Sequence, residues 1–184
     1  MIRTVKFAAW VRNGVRLAAM FAWIFTSICG VAPAAYGSDA AVQIQFDASK
    51  STPRAVENLT ERGILRDYRF AWTSIAQALE LNTLDPLEGP FAGAAKQLLR
   101  ETVVGQQHSG LSRQYVDQNH RLEAVFYAPE GDVMELHDTA EYELRISDGG
   151  KIIHDEHVVM HYVVLMTPGA DRWVIRQLQA VPQS

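Results

Sequence analysis

Met134-Glu135-Leu136-His137-Asp138-Thr139-Ala140-Glu141-Tyr142-Glu143-Leu144-Arg145-Ile146 alternates apolar and polar side chains almost without interruption. A period of two sends neighbouring residues to opposite faces of a strand, so one face is core and the other wet. Asp138 breaks the pattern by placing a carboxylate on the apolar face. Turn sequences flank the strand: Pro129-Glu130-Gly131-Asp132 before it and Ser147-Asp148-Gly149-Gly150 after it.

Working outward, Leu122 to Ala128 reads as a preceding strand and Lys151 to Met166 as a following one. Thr167-Pro168-Gly169-Ala170-Asp171 then turns into Trp173 to Val181. Val158 to Leu165 is apolar at successive positions, which predicts a central strand covered on both faces. Towards the N-terminus the period becomes helical. Thr52 and Pro53 read as a helix entry, and Gly63 as a break. Ile64, Leu65, Tyr68, Trp72, Ile75 and Leu79 form the stripe of an amphipathic helix running to about Asn82. After the bend Leu84 to Pro90, Phe91 to Val104 predicts another helix ended by Gly105, and residues 106 to 119 a connecting loop. Residues 38 to 51, with Val42, Ile44 and Phe46, predict a short strand or an ordered tail. The sum is an α+β domain, N-terminal helices packed on a curved antiparallel sheet of four strands or more.

Residues 1–37 hold Arg3, Lys6, Arg12 and Arg16 and no acid, then the apolar run from Leu17, then small residues. That is the layout of a signal peptide, cut after Ala34 or, avoiding proline, after Gly37. The alternative is an uncleaved anchor, because Leu17 to Ala35 approaches the roughly 20 residues that span a bilayer. The expected organisation is therefore a leader over 1–37, an N-terminal extension over 38–52 and the α+β domain over 53–184. The single cysteine, Cys29, lies in the leader, so the domain is expected to fold without disulfides in an oxidising compartment.

The whole chain carries a formal charge of −4, and without its four leader cations 13 Lys and Arg face 21 acids, about −8. Nucleic acid is thereby excluded as an expected partner, and a membrane is one only if the leader is retained, since both are anionic and need clustered cations.

The order of helices followed by an antiparallel meander, ending in Arg172-Trp173-Val174-Ile175-Arg176-Gln177-Leu178, resembles the nuclear-transport-factor-2-like (NTF2-like) superfamily over about residues 53 to 181. The resemblance implies a cone-shaped cavity between helices and sheet. It covers isomerases, cyclases and dehydratases, non-catalytic binding and assembly domains, and periplasmic domains of secretion-channel proteins resembling VirB8, so the fold alone decides no function.

An acid-base reading needs a carboxylate or imidazole facing the cavity with a hydroxyl donor, for which Asp138, His161, Tyr142 and Tyr162 are the candidates. A surface position near a bulge or a partner such as Arg176 is the simpler explanation of Asp138. His154-Asp155-Glu156-His157 and His161 form the densest polar group. On a strand Asp155, His157 and His161 share a face as candidate metal ligands, yet neighbours on one face stand about 6.6–7 Å apart, so ligands from other strands such as His137 or Asp138 would be required. Tyr68, Phe70, Trp72, Phe126, Tyr127, Tyr142 and Trp173 either line a cavity or fill the core. No cofactor is expected. The reading is an exported, periplasmic or secreted, non-catalytic module that binds a protein or a small apolar ligand and is able to homodimerise. The alternatives are a small cavity enzyme of the isomerase, cyclase or dehydratase type and an inner-membrane-anchored subunit of an envelope assembly.

Overall fold

The computed structural model describes residues 42–181. Two helices pack on one face of a six-stranded sheet with strand order β1-β3-β4-β5-β6, β2 pairing separately with β3. The strands are β1 (Gln43–Asp47), β2 (Thr52–Pro53), β3 (Leu111–Tyr127), β4 (Met134–Asp148), β5 (Lys151–Pro168) and β6 (Trp173–Val181); the helices are α1 (Asn58–Leu81) and α2 (Gly93–Ser109). β3 to β6 form the expected antiparallel meander. β1 and β2 instead lie parallel to β3, so the sheet is mixed.

β4 follows its alternation residue by residue: Met134, Leu136, Asp138, Ala140 and Tyr142 are buried, while the residues between them are not. The buried face meets α1 through Ile64, Tyr68, Ala71, Trp72, Ile75, Ala78 and Leu79, and α2 supplies Ala95, Leu99 and Val103. Packing an apolar stripe on the apolar face of a sheet removes both from water, which is the main stabilising term.

Several expectations fail for identifiable reasons. Thr52 and Pro53 do not open α1 but add to the sheet beside Phe126 and Tyr127; a residue preceding proline is pushed towards extended backbone. Gly63 does not break α1, which runs through it; the Trp173 indole of β6 packs against this turn of the helix, and a Cβ at Gly63 would meet it at 3.6 Å, an ordinary contact distance. Gly105 does not end α2. The helix continues to Ser109 because Gln106 is buried, its amide donating to Leu79 O at 2.5 Å and Asn82 Oδ1 at 2.6 Å, and it ends at Gly110 with φ 70°. The expected loop over 106–119 is thus helix, cap and the first part of β3. Residues 38–51 include β1, a true strand in register with Asn119 to Glu123.

β5 is also not covered on both faces, since Val159 is 41% exposed. It is second from one end of the sheet, and its apolar run faces helices on one side only. The leader, its cleavage sites and Cys29 lie outside the described residues. Among the described residues no helix is long and apolar enough to cross a membrane.

Candidate functional site

Asp138 lies on the inner face of β4, opposite Leu122 of β3 and Tyr162 of β5. Its side chain is fully buried, and its Oδ2 accepts two hydrogen bonds, from the Tyr68 hydroxyl at 2.7 Å and from His120 Nδ1 at 2.8 Å. Tyr68 reaches it from the buried stripe of α1, and His120 from the inner face of β3 two positions before Leu122. With the carboxylate ionised, Nδ1–H is the donor and fixes the imidazole tautomer, leaving Nε2 as the other ring nitrogen. Nε2 of His120 and Oδ1 of Asp138 are buried without a hydrogen-bond partner. Arg176, the partner considered for Asp138, instead donates to Thr167 Oγ1 at 2.7 Å.

Aromatic rings fill the space around this trio. Trp72 lies 4.4 Å from His120 and 5.5 Å from Tyr162 between ring centroids, and Tyr115 stacks on Tyr142 at 4.5 Å. Tyr68, Trp72, Tyr127 and Tyr142 are therefore core, whereas Phe70 and Phe126 are 44% and 39% exposed. The cone interior is packed with side chains and stays largely shut to solvent.

Burial opposes ionisation of these phenols: Tyr68 is held well above the ordinary tyrosine range by desolvation and by the Asp138 charge beside it. Desolvation also raises Tyr115 and Tyr142, and pushes Tyr162 up to about 12 from 10.0. A raised folded-state pKa means the unfolded chain loses its proton first. The stabilising preference is intact below pH 10 and is lost as the pH climbs from there through about 12 for Tyr162 and beyond for the others. Urea melts between pH 8 and 11 are expected to show constant stability to about pH 9.5 and then a fall of up to about 1.4 kcal/mol per pH unit per phenol. A flat profile to pH 11 would contradict the buried-phenol arrangement.

The other candidates separate. His161 lies on the outer sheet face, its Nδ1 3.0 Å from Thr139 Oγ1, so it is on the opposite face from Asp138 and the two do not form one acid-base pair. Tyr142 and Tyr162 share the inner face with Asp138. On the outer face Asp155 pairs with Arg145 at 3.3 Å, and His157 sits between Glu143 at 2.9 Å and Glu141 at 3.3 Å. Asp155, His157 and His161 do not converge, and among the described residues no group of three or more His, Cys, Asp or Glu is arranged to hold a metal ion.

Two features were not anticipated. His120 was passed over because its strand was expected to begin after it; the alternation His120, Leu122, Ala124 is the signal that points it inward. Asp67, 4% exposed on α1, accepts from the backbone N–H of Trp173 at 2.7 Å and binds Arg66, tying helix to sheet. Nearby, Arg62, Arg66, Arg172 and Trp173 line a surface groove of about 440 Å³.

A third feature is an open edge. β5 pairs with β4 along its length but with β6 only from His161 to Pro168. Among the described residues, positions 151–160 have no strand on their other side. This edge carries exposed Ile152 (53%) and Ile153 (56%) as well as Val159, with Lys151, His154, Asp155, Glu156 and His157 between them.

No family model matches the chain, and no curated protein matches it significantly. Among solved structures it is similar to the intermembrane-space region of the chloroplast protein ARC6, with a TM-score of 0.58 and 13% identity, covering 71% of this chain and 100% of that one. A de novo β-sheet design overlaps with a TM-score of 0.34 at 17% identity, covering 65% of this chain and 88% of that one. The ARC6 likeness is one of fold: an α+β domain with two helices packed against a large mixed sheet, consistent with the NTF2-like cone.

Proposed function

We propose that this domain is an exported, non-catalytic protein-interaction module that takes a partner along the open edge of β5. The observation that carries the reading is the ten-residue stretch 151–160, hydrogen-bonded to β4 and bare on its other side among the described residues. Unpaired strand N–H and C=O groups are a template for another strand, and exposed β-branched side chains beside them add apolar area to the contact. The filled cone supports the same assignment, because a binding cavity needs room that Trp72, Tyr115, Tyr142 and Tyr162 occupy here. The basic-apolar-small layout of residues 1–37 supports action in the periplasm or outside the cell.

The test is site-specific photo-crosslinking in the full chain expressed with its own leader. A photoreactive residue at Ile153 or Val159 is expected to give discrete protein adducts, identified by peptide mass, that one at exposed Thr73 on α1 does not. Equal labelling at all three positions, or none, overturns the reading.

The unpartnered His120 Nε2 and Asp138 Oδ1 favour a second reading, a small cavity enzyme in which Asp138 orients His120 as base. It requires Tyr142 and Tyr162 to move aside. Native mass spectrometry of the protein recovered from its own cell envelope distinguishes the two. A retained small molecule lost in Asp138→Asn favours the cavity, and an empty protein favours the edge.

A further inference from the structure

We infer that the partner at the β5 edge is a second copy of this chain, the two β5 strands running antiparallel across a two-fold axis at Glu156 so that two sheets become one. This rests on the interaction reading above and names its occupant.

The residues themselves select that register. In a two-fold antiparallel pair the residue at the axis faces itself, and residues equally far before and after it face one another. With Glu156 at the axis, Asp155 faces His157 of the second copy and His154 faces Val158, while exposed Ile152 and Ile153 meet the Val159–Met160 end. Acid meets imidazole twice, and apolar side chains meet apolar side chains at both ends. Moving the axis to Asp155 likewise sets two acids against each other and pairs His154 with Glu156 and Ile152 with Val158. It loses the contact between exposed Ile153 and Val159, placing Ile153 opposite His157 and Val159 opposite Lys151. Moving the axis to His157 sets Glu156 against Val158 and Asp155 against Val159. Cross-strand pairing discriminates among such arrangements, because opposite charges and β-branched pairs directly across a ladder are favourable and like charges are not.

The outer sheet face then gains a continuous run of polar contacts. Arg145 binds Asp155 at 3.3 Å, Asp155 meets the imidazole of the second copy, and that imidazole already lies 2.9 Å from Glu143 and 3.3 Å from Glu141 of its own chain. The one like-charge contact, between the two Glu156 carboxylates, is flanked on each side by His154, whose Nε2 is 3.0 Å from Glu156 Oε2. Among the described residues no strand competes for this edge, β6 pairing with β5 only from His161 to Pro168. Near Ile153 the β4–β5 ladder shifts register, so the regular part of the new ladder spans His154 to Val158 and the isoleucines close its ends.

The experiment is disulfide trapping in the full chain carrying Cys29→Ser, which removes the only native thiol. Directly opposed residues in an antiparallel pair have Cα atoms about 4.5–5.5 Å apart, within disulfide reach. Under mild oxidation Glu156→Cys is expected to form a reducible covalent dimer at least tenfold faster than Val159→Cys or Asp171→Cys. Light scattering of the unsubstituted chain is expected to show molar mass rising with concentration, and Val159→Asp to weaken dimerisation at least tenfold with an unchanged circular dichroism spectrum. Preferential trapping by Asp155→Cys or His157→Cys overturns the register. A monomer at all concentrations, with Glu156→Cys no faster than Asp171→Cys, overturns self-pairing altogether. If photo-adducts at Ile153 and Val159 then contain a different protein, the interaction module stands without its second copy. If there are none, both fall.

Discussion

Replacing Asp138 with alanine is expected to lower the free energy of unfolding by about 3–5 kcal/mol, read as a fall of about 10–20 °C in Tm. The carboxylate is buried, and one oxygen holds both the Tyr68 hydroxyl and His120 Nδ1. Its removal leaves a phenol donor and an imidazole donor without partners in a site closed to water. A stranded buried donor costs about 1–3 kcal/mol, more when the lost bond was to a charge. Asp138→Asn keeps an acceptor oxygen but loses the charge that strengthens both bonds, and is expected to fall between alanine and the native residue. A cost below about 1 kcal/mol for Asp138→Ala would mean the trio is not held as a unit. Measured alongside His120→Ala, the double substitution is expected to cost less than the two single costs combined, because residues in one hydrogen-bond network couple.

Trp72→Ala carries the other large effect, about 3–5 kcal/mol in chemical denaturation. The indole is 1% exposed, and its ring centroid lies within 6.5 Å of those of Tyr68, Tyr115, His120, Tyr142 and Tyr162. Truncation therefore removes the largest buried side chain of α1 and opens a space that no single neighbour fills by a rotamer change. Trp72→Phe retains much of the ring area and is expected to cost less than half as much. Should Trp72→Ala prove nearly neutral, the interior is looser than its burial indicates. The same substitution makes room beside His120, and a small apolar probe that binds Trp72→Ala but not the native protein would show that packing alone keeps the cone closed.

What the sequence disclosed followed from periodicity. The alternation of β4 and the three turns around it placed the strand order of the meander and the bounds of β4, β5 and β6 to within a few residues. β3 starts at Leu111, eleven residues ahead of the expected Leu122, because its polar first half carries no apolar alternation. The helical stripe from Ile64 to Leu79 was equally direct. The misreadings cluster where a local signal met a tertiary contact. Gly63 has the chemistry of a helix breaker but answers to Trp173, packed against it from β6. Gly105 has the same chemistry but is carried through by buried Gln106. Thr52 and Pro53 have a helix-entry pattern but pair with the end of β3. Parallel pairing leaves no turn to announce it, so β1 beside β3 had no local signature.

The site divided in the same way. Asp138 was legible as a carboxylate out of phase with its own strand. Its partners were not, since Tyr68 belongs to another element and looked like any residue of an apolar stripe, and His120 fell outside the expected strand. His161 looked like a companion of Asp138 by residue type, yet the register that sets it beside Thr139 sends it to the other face. The open edge of β5 was invisible for a different reason: among the described residues β6 spans nine positions against 18 in β5, a mismatch that matters only once the two are paired.

The parallel docking of β1 also sets an order of events. β3 to β6 form through hairpins whose partners are near in sequence, whereas Gln43 reaches Asn119 only after both helices lie between them. Closing so long a loop costs entropy before any ladder bond returns it, which makes that pairing a late step in folding and an early one to open. Native-state hydrogen exchange is expected to show Ile44 and Phe46 amides exchanging well before those of Leu136 and Val164. The chain would then acquire its meander first and add β1 last, as a clasp across the finished sheet.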